Sequence, residues 1–257
     1  MKRIVEVSDG RKLCVAEGGA PDGKPVVYHM GTPTSRLVFS LHDGAAKVHG
    51  VRLISYDRPG YGGSTPRPGR TVADSADDVE AIADALGLER VGLWGFSGGP
   101  PFGFAAAARM PDRITGVVSL ASPAPGLYTF DESEDFDAER RQMLAETADD
   151  WRARLKPEYA AFAEYAVATL RIALANSAEG WREDEQAVGG DWGFDVASIR
   201  APVRLRHGRA DKAVPVEHGE WLAAHVPGVD AHFGGDDDHQ AVHFRYLDDD
   251  FGWLASL

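Results

Sequence analysis

The stretch Val91-Gly92-Leu93-Trp94-Gly95-Phe96-Ser97-Gly98-Gly99 runs from apolar, strand-forming residues into a serine flanked by glycines. A serine hydroxyl is a poor nucleophile until a base takes its proton, and the G-x-S-x-G pattern at a strand-to-helix turn is one way to present it for that purpose. Such a turn holds the serine in a strained backbone conformation, and the glycines give clearance where the chain passes close to itself. The N–H groups that open the following helix favour negative charge beside Ser97. A Gly/Ser connection without chemistry is the plain alternative. The helical pattern that starts immediately, at residues 98–110, favours a reactive Ser97 projecting from the carboxyl edge of a sheet.

A base and an orienting acid must then be brought from elsewhere in the chain by the elements around this turn. Alternating residues at 4–7 and 12–17 flank Ser8-Asp9-Gly10-Arg11 and read as a β-hairpin. Strands follow at 25–29, 51–56, 91–94 and 114–121, with helical patterns within 35–48 and over 72–86 and 98–110 between them. Strand, crossover helix and strand in repetition imply a mostly parallel sheet with helices on both faces. From 123 to 198 the strands give way to amphipathic runs at 136–144, 158–174 and 178–185, and the sheet pattern resumes at 201–207. Helical patterns at 216–225 and 240–254, with a strand at 229–233 between them, close the chain. We therefore expect an α/β core over 1–122 and 199–257, interrupted by a helical cap over 123–198.

Three motifs, in order, carry a resemblance to the α/β-hydrolase superfamily and its small capped members: Tyr28-His29-Met30-Gly31-Thr32-Pro33, Tyr56-Asp57-Arg58-Pro59-Gly60-Tyr61-Gly62-Gly63-Ser64 and Gly95-Phe96-Ser97-Gly98-Gly99. The resemblance spans nearly the whole chain and implies an α/β-hydrolase fold with an inserted helical cap. It implies Ser97 as nucleophile, Asp211 after the strand at 201–207 as the orienting acid, and His239 after the strand at 229–233 as the base. Backbone donors at Thr32 and Gly98 are the matching oxyanion-hole positions, and Asp57 is a turn-fixing residue. One departure concerns the loop before His239, where Asp236 and Asp238 stand in place of glycines around Asp237. His232, at a strand end, and His243, on a helix surface, are the fallback bases.

The formal charge of −13 disfavours a nucleic-acid partner, and no basic run interleaved with aromatics occurs. Cys14 is the single cysteine, so no internal disulfide forms, and its alternating context reads as a buried strand thiol. The first residues lack the apolar stretch of a signal peptide, and no run approaches the roughly 18 apolar residues of a spanning helix. A cytoplasmic protein without membrane contact is the expectation. Asp236, Asp238, His239 and His243 could in principle ligate a metal, but the serine-site order competes with them, and neither metal nor cofactor is expected. Acidic patches at 131–137 and 248–250 read as solvated surface.

The expected substrate is a small, partly hydrophobic ester or lactone, walled by cap residues drawn from Leu127, Tyr128, Phe130, Trp151, Tyr159, Phe162, Tyr165, Trp181 and Trp192. A proline-iminopeptidase-like aminopeptidase or amidase is the second reading, with Glu132, Glu134, Asp135 and Asp137 available to a substrate ammonium. A non-catalytic ligand-binding protein on the same fold is the third.

Overall fold

The computed structural model describes residues 2–257. Strands β1 (Lys2–Glu6) and β2 (Lys12–Gly19) pair antiparallel as the expected hairpin, with Ile4 opposite Cys14. β3 (Lys24–His29), β4 (Val51–Tyr56), β5 (Val91–Phe96), β6 (Ile114–Leu120), β7 (Val203–Gly208) and β8 (Asp230–Gly234) complete one eight-stranded sheet in the order β1-β2-β4-β3-β5-β6-β7-β8. β2 meets β4 antiparallel, and every later pairing is parallel.

Parallel strands need crossovers, and helices α1 (Ser40–Val48), α2 (Ser75–Ala85) and α3 (Pro100–Arg109) supply them in the first half. In the second half, α8 (Val216–His225) links β7 to β8, and α9 (His239–Arg245) and α10 (Leu247–Ser256) follow β8. Alternate residues of the central strands face opposite cores. Val27, Leu93, Val117 and Leu205 join Val79, Ile82, Phe102 and Leu222 on one face. Val26, Tyr28, Trp94 and Val118 join Phe39, Ala46, Phe251 and Leu254 on the other. Every residue of β5 is buried, as expected of a strand covered on both faces.

Between β6 and β7 lies an inserted helical region of α4 (Phe136–Ala145), α5 (Ala148–Arg154), α6 (Phe162–Ala173) and α7 (Glu179–Gly189). It has a small core of its own, in which Phe136, Leu170, Leu174 and Trp181 pack with Tyr61 from the loop after β4. The seven-residue α5 escapes the amphipathic pattern because it has no buried residue and is set by its Thr147/Asp150 capping box. The expected 240–254 helix is two helices that meet at Tyr246.

Of the acidic run 248–250, Asp248 and Asp249 are exposed, but Asp250 is buried beside Arg206 at 3.5 Å. Burial raises the pKa of Asp250 to about 7, with Arg206 pulling the other way. That residue corrects the reading of the patch as solvated surface, because the helical period turns it inward. Cys14 is buried in β2 as expected. Among the described residues no helix is long and apolar enough to cross a membrane.

Candidate active site

Ser97 follows the last residue of β5 and has φ +58°, a left-handed conformation that costs a residue with a Cβ on the order of 1–3 kcal/mol. The strain is held by neighbours on both sides. The Ser97 N–H donates to Leu120 O on the adjacent strand, and the Gly99 N–H turns back to Phe96 O. A Cβ at position 99 would lie 2.1 Å from the His29 carbonyl oxygen, so only glycine lets the turn pass β3 this closely.

The structure brings Ser97, Asp211 and His239 together from three strand ends. His239 Nε2 is 3.0 Å from Ser97 Oγ, and His239 Nδ1 is 2.7 Å from Asp211 Oδ2. The other oxygen of Asp211 accepts from the Ala213 and Val214 N–H groups, both at 2.9 Å, which fixes the carboxylate in the turn after β7. Burial alone raises the pKa of Asp211, but the hydrogen bond and charge of His239 and the two main-chain donors outweigh it, so the carboxyl lies below its ordinary value. An ionised Asp211 only accepts, so Nδ1 of His239 carries the proton and Nε2 turns its lone pair to the Ser97 hydroxyl.

The unusual loop before His239 is explained by its aspartates. Asp238 is the N-cap of α9, accepting from the Ala241 N–H at 2.8 Å, and it pairs with Lys156 of the cap region at 2.7 Å. Asp237 is buried, accepts from the Tyr246 hydroxyl and pairs with Arg245. His239 is therefore the first residue of a helix rather than a loop residue. His243, one turn on, is fully buried with its ring stacked on Phe96 at 4.2 Å, which corrects its reading as a helix-surface residue. Burial, reinforced by His42 and His239, holds its pKa well below the ordinary value. His232 lies in β8 with its ring against Tyr246, away from Ser97. No group of three or more histidine, cysteine or acidic side chains able to hold a metal occurs among the described residues.

On the opposite side of Ser97 runs the loop after β3. A Cβ at position 31 would meet the Ser97 Cβ at 2.9 Å, and one at position 98 would lie 2.8 Å from Thr32 Oγ1 and 3.4 Å from Thr32 N. The Thr32 amide is thus beside Gly98, and neither residue's N–H has a main-chain acceptor among the described residues. Two donors free of internal bonds next to Ser97 can receive a developing oxyanion. Asp57 serves its own turn, accepting from the Arg36 N–H at 2.7 Å, the Arg36 guanidinium at 2.6 Å and the Gly63 N–H at 2.9 Å.

A cleft of about 200 Å³ opens over Ser97 and His239. Met30, Phe96, Met143, Trp151, Phe162 and Leu170 give it a mostly apolar wall. Of the cap aromatics named from sequence, Trp151 and Phe162 are there. Trp192 is instead in the main core and Trp181 in the small core of the cap. Sequence reasoning missed Met143, Thr169 and Leu170, whose helical pattern signals burial without saying against what. Glu132, Glu134, Asp135 and Asp137 do not line the cleft.

Residues 24–240 match the family described as alpha/beta hydrolase fold. The chain is 31% identical over 166 residues to a "Non-heme chloroperoxidase" of Streptomyces lividans, covering 62% of this chain and 56% of that protein. It therefore spans little more than half the length of that relative. It is 28% identical over 219 residues to the "AB hydrolase superfamily protein YisY" of Bacillus subtilis (strain 168), covering 78% of this chain and 79% of the relative. Among solved structures, an enol-lactonase from Burkholderia xenovorans LB400 superposes with a TM-score of 0.77 at 22% identity, over 99% of this chain and 98% of that one. At that identity the likeness shows the fold alone.

Proposed function

The chain belongs to the α/β-hydrolase fold family, and on that premise we propose that it is a serine hydrolase that cleaves a small, partly hydrophobic ester or lactone through an acyl-enzyme. The observation that carries this reading is the unbroken chain of contacts from Ser97 Oγ through His239 to Asp211, 3.0 and 2.7 Å in its two steps. His239 Nε2 takes the hydroxyl proton as Ser97 Oγ attacks the carbonyl carbon. Asp211 holds the imidazole tautomer and stabilises its charged form. The carbonyl oxygen gains negative charge as the tetrahedral intermediate forms, and the Thr32 and Gly98 amides donate to it. Collapse breaks the carbon–oxygen bond to the alcohol, which leaves with the proton from His239. A water molecule, deprotonated by His239 in turn, then attacks the acyl carbon and releases Ser97.

The cleft supports an uncharged acyl or alcohol group of modest size, since its wall carries no carboxylate and no cation. The same feature speaks against an aminopeptidase reading, which needs a free carboxylate for the substrate ammonium. Glu185, the acidic residue bound to Thr32, already accepts from the Thr32 hydroxyl, the Trp181 N–H and the Tyr128 hydroxyl.

The test is labelling with a serine-reactive fluorophosphonate, followed by turnover of p-nitrophenyl esters, lactones and proline p-nitroanilide. Labelling at Ser97 and turnover of esters or lactones well above the anilide is the expected result. Ser97→Ala should lose labelling and lower kcat on the order of 10⁴- to 10⁶-fold. Full turnover in that variant excludes the mechanism, and preference for the anilide replaces the substrate class.

A further inference from the structure

Two consecutive residues of α7 act on the loop that carries the proposed oxyanion amide of Thr32, Glu185 directly and Asp184 through Arg58. Asp184 is fully buried and accepts from Arg58 Nε at 2.7 Å and Arg70 Nη2 at 2.6 Å. The remaining nitrogens of Arg58 point into the loop after β3, where Nη1 donates to Met30 O at 2.8 Å and Nη2 to Gly31 O at 3.2 Å. Thr34 Oγ1 donates to the same Gly31 oxygen at 2.6 Å. Glu185 acts on the next residue directly, accepting from Thr32 Oγ1 at 2.8 Å while Trp181 and Tyr128 hold its own oxygens.

The geometry of a peptide bond turns these contacts into a statement about catalysis. The Gly31 C=O and the Thr32 N–H belong to one planar trans unit and point in opposite directions. Donors that fix the Gly31 oxygen on one side therefore fix the direction of the Thr32 N–H on the other. The Thr32 side chain, pressed against Gly98, is the second point that stops the unit from rotating.

We infer that α7 is the positioning element for the oxyanion amide: Asp184 acting through Arg58, and Glu185 acting through the Thr32 hydroxyl, hold the Gly31–Thr32 peptide plane so that its N–H faces the oxygen of the carbonyl whose carbon Ser97 attacks. The inference rests on the proposed serine mechanism and adds to it three positioning residues, Arg58, Asp184 and Glu185. Preorganised donors gain their advantage by being aimed before charge develops, so loosening this grip raises the barrier without changing how the ground-state ester binds.

Removing Asp184 also removes a buried countercharge, so Thr32→Val and Glu185→Ala carry the test. Thr32→Val keeps the side-chain shape and the amide and deletes only the hydroxyl. Steady-state kinetics with a p-nitrophenyl ester, the inhibition constant of a trifluoromethyl ketone that forms a tetrahedral adduct, and thermal unfolding are measured on each full-length variant. Both variants should lower kcat about 10- to 100-fold at unchanged KM, less than outright loss of a donor, and weaken the ketone by the same factor. Glu185→Gln, whose amide oxygen still accepts from Thr32, should recover most of the lost rate.

If kcat and ketone affinity of the folded Thr32→Val and Glu185→Ala proteins stay within about threefold of the parent, the inference is wrong. A rise in KM with kcat unchanged also overturns it, since α7 would then act on substrate binding. Failure of fluorophosphonate to label the parent protein at Ser97 is a separate outcome, which removes the serine mechanism and this inference with it.

Discussion

On one side of Ser97, the two hydrogen-bond partners of the proposed base, Ser97 and Asp211, lie just past the ends of core strands. Asp211 is held by the main chain of its own turn, and His239 is the first residue of a helix capped by its neighbour Asp238. On the other side, the loop after β3 is held by Arg58 from the loop after β4 and by Glu185 of α7, and α7 also holds Arg58 through Asp184. The acid–base arm is thus anchored by short-range hydrogen bonds. The proposed oxyanion loop takes Arg58 and Thr34 on its Gly31 carbonyl from nearby in sequence, but Arg58 and Thr32 are in turn bound by Asp184 and Glu185, more than a hundred positions away. On the proposed mechanism, rearranging the inserted helices should disturb charge stabilisation more than proton transfer, since the inserted region meets the His239 side through the Lys156–Asp238 pair.

The largest test of that division falls on the core arm. Asp211→Asn keeps an oxygen for the Ala213 and Val214 N–H groups but loses the acceptor that sets the His239 tautomer, and kcat should fall about 10⁴-fold with little change in thermal stability. A loss of folding comparable to the loss of rate would show that Asp211 is architectural.

The cap arm should behave in the opposite way. Asp184→Asn leaves the Arg58 and Arg70 guanidinium groups buried without their shared carboxylate, and denaturant unfolding should show a loss of about 3–5 kcal/mol. An unchanged midpoint would mean that α7 does not anchor the loop.

Gly98→Ala places a Cβ 2.8 Å from Thr32 Oγ1, where the Thr32 side chain has to give way. It should lower kcat about 10- to 100-fold and leave the pH profile of kcat/KM in place, because the His239 side is untouched. A displaced profile would couple the two arms.

The smallest effect concerns acid stability. The Asp211 pKa is lowered below 3.8 in the folded protein, so its contribution is complete above that value and is lost as pH falls through the lower, folded value. The stability gap between the parent and Asp211→Asn should therefore narrow on acidification below pH 3.8. A gap that widens instead reverses the sign of the shift.

Much of the sheet was legible because strands buried on both faces and amphipathic helices carry different periods, as in β5 against α2. Helix ends and short polar helices were not: α5 buries nothing, and the break at Tyr246 interrupts a pattern that reads as one helix. His243 was misplaced although its position four residues after His239 puts both on one helix face. The two rings lie against Phe96 at 4.7 and 4.2 Å, so the face that turns His239 toward Ser97 also buries His243.

The sequence by itself determined the alternation of strands and helices and the strained turn at Ser97. These follow from local periodicity and from glycine at positions where a Cβ does not fit. The tertiary structure alone decided that Trp151 lines the cleft while Trp192 fills the core, and that Arg58 and α7 bind the loop after β3. An apolar or charged residue in a helix declares that it will be buried or paired, but its partner is chosen by chain segments far away in sequence, and no local pattern encodes that choice.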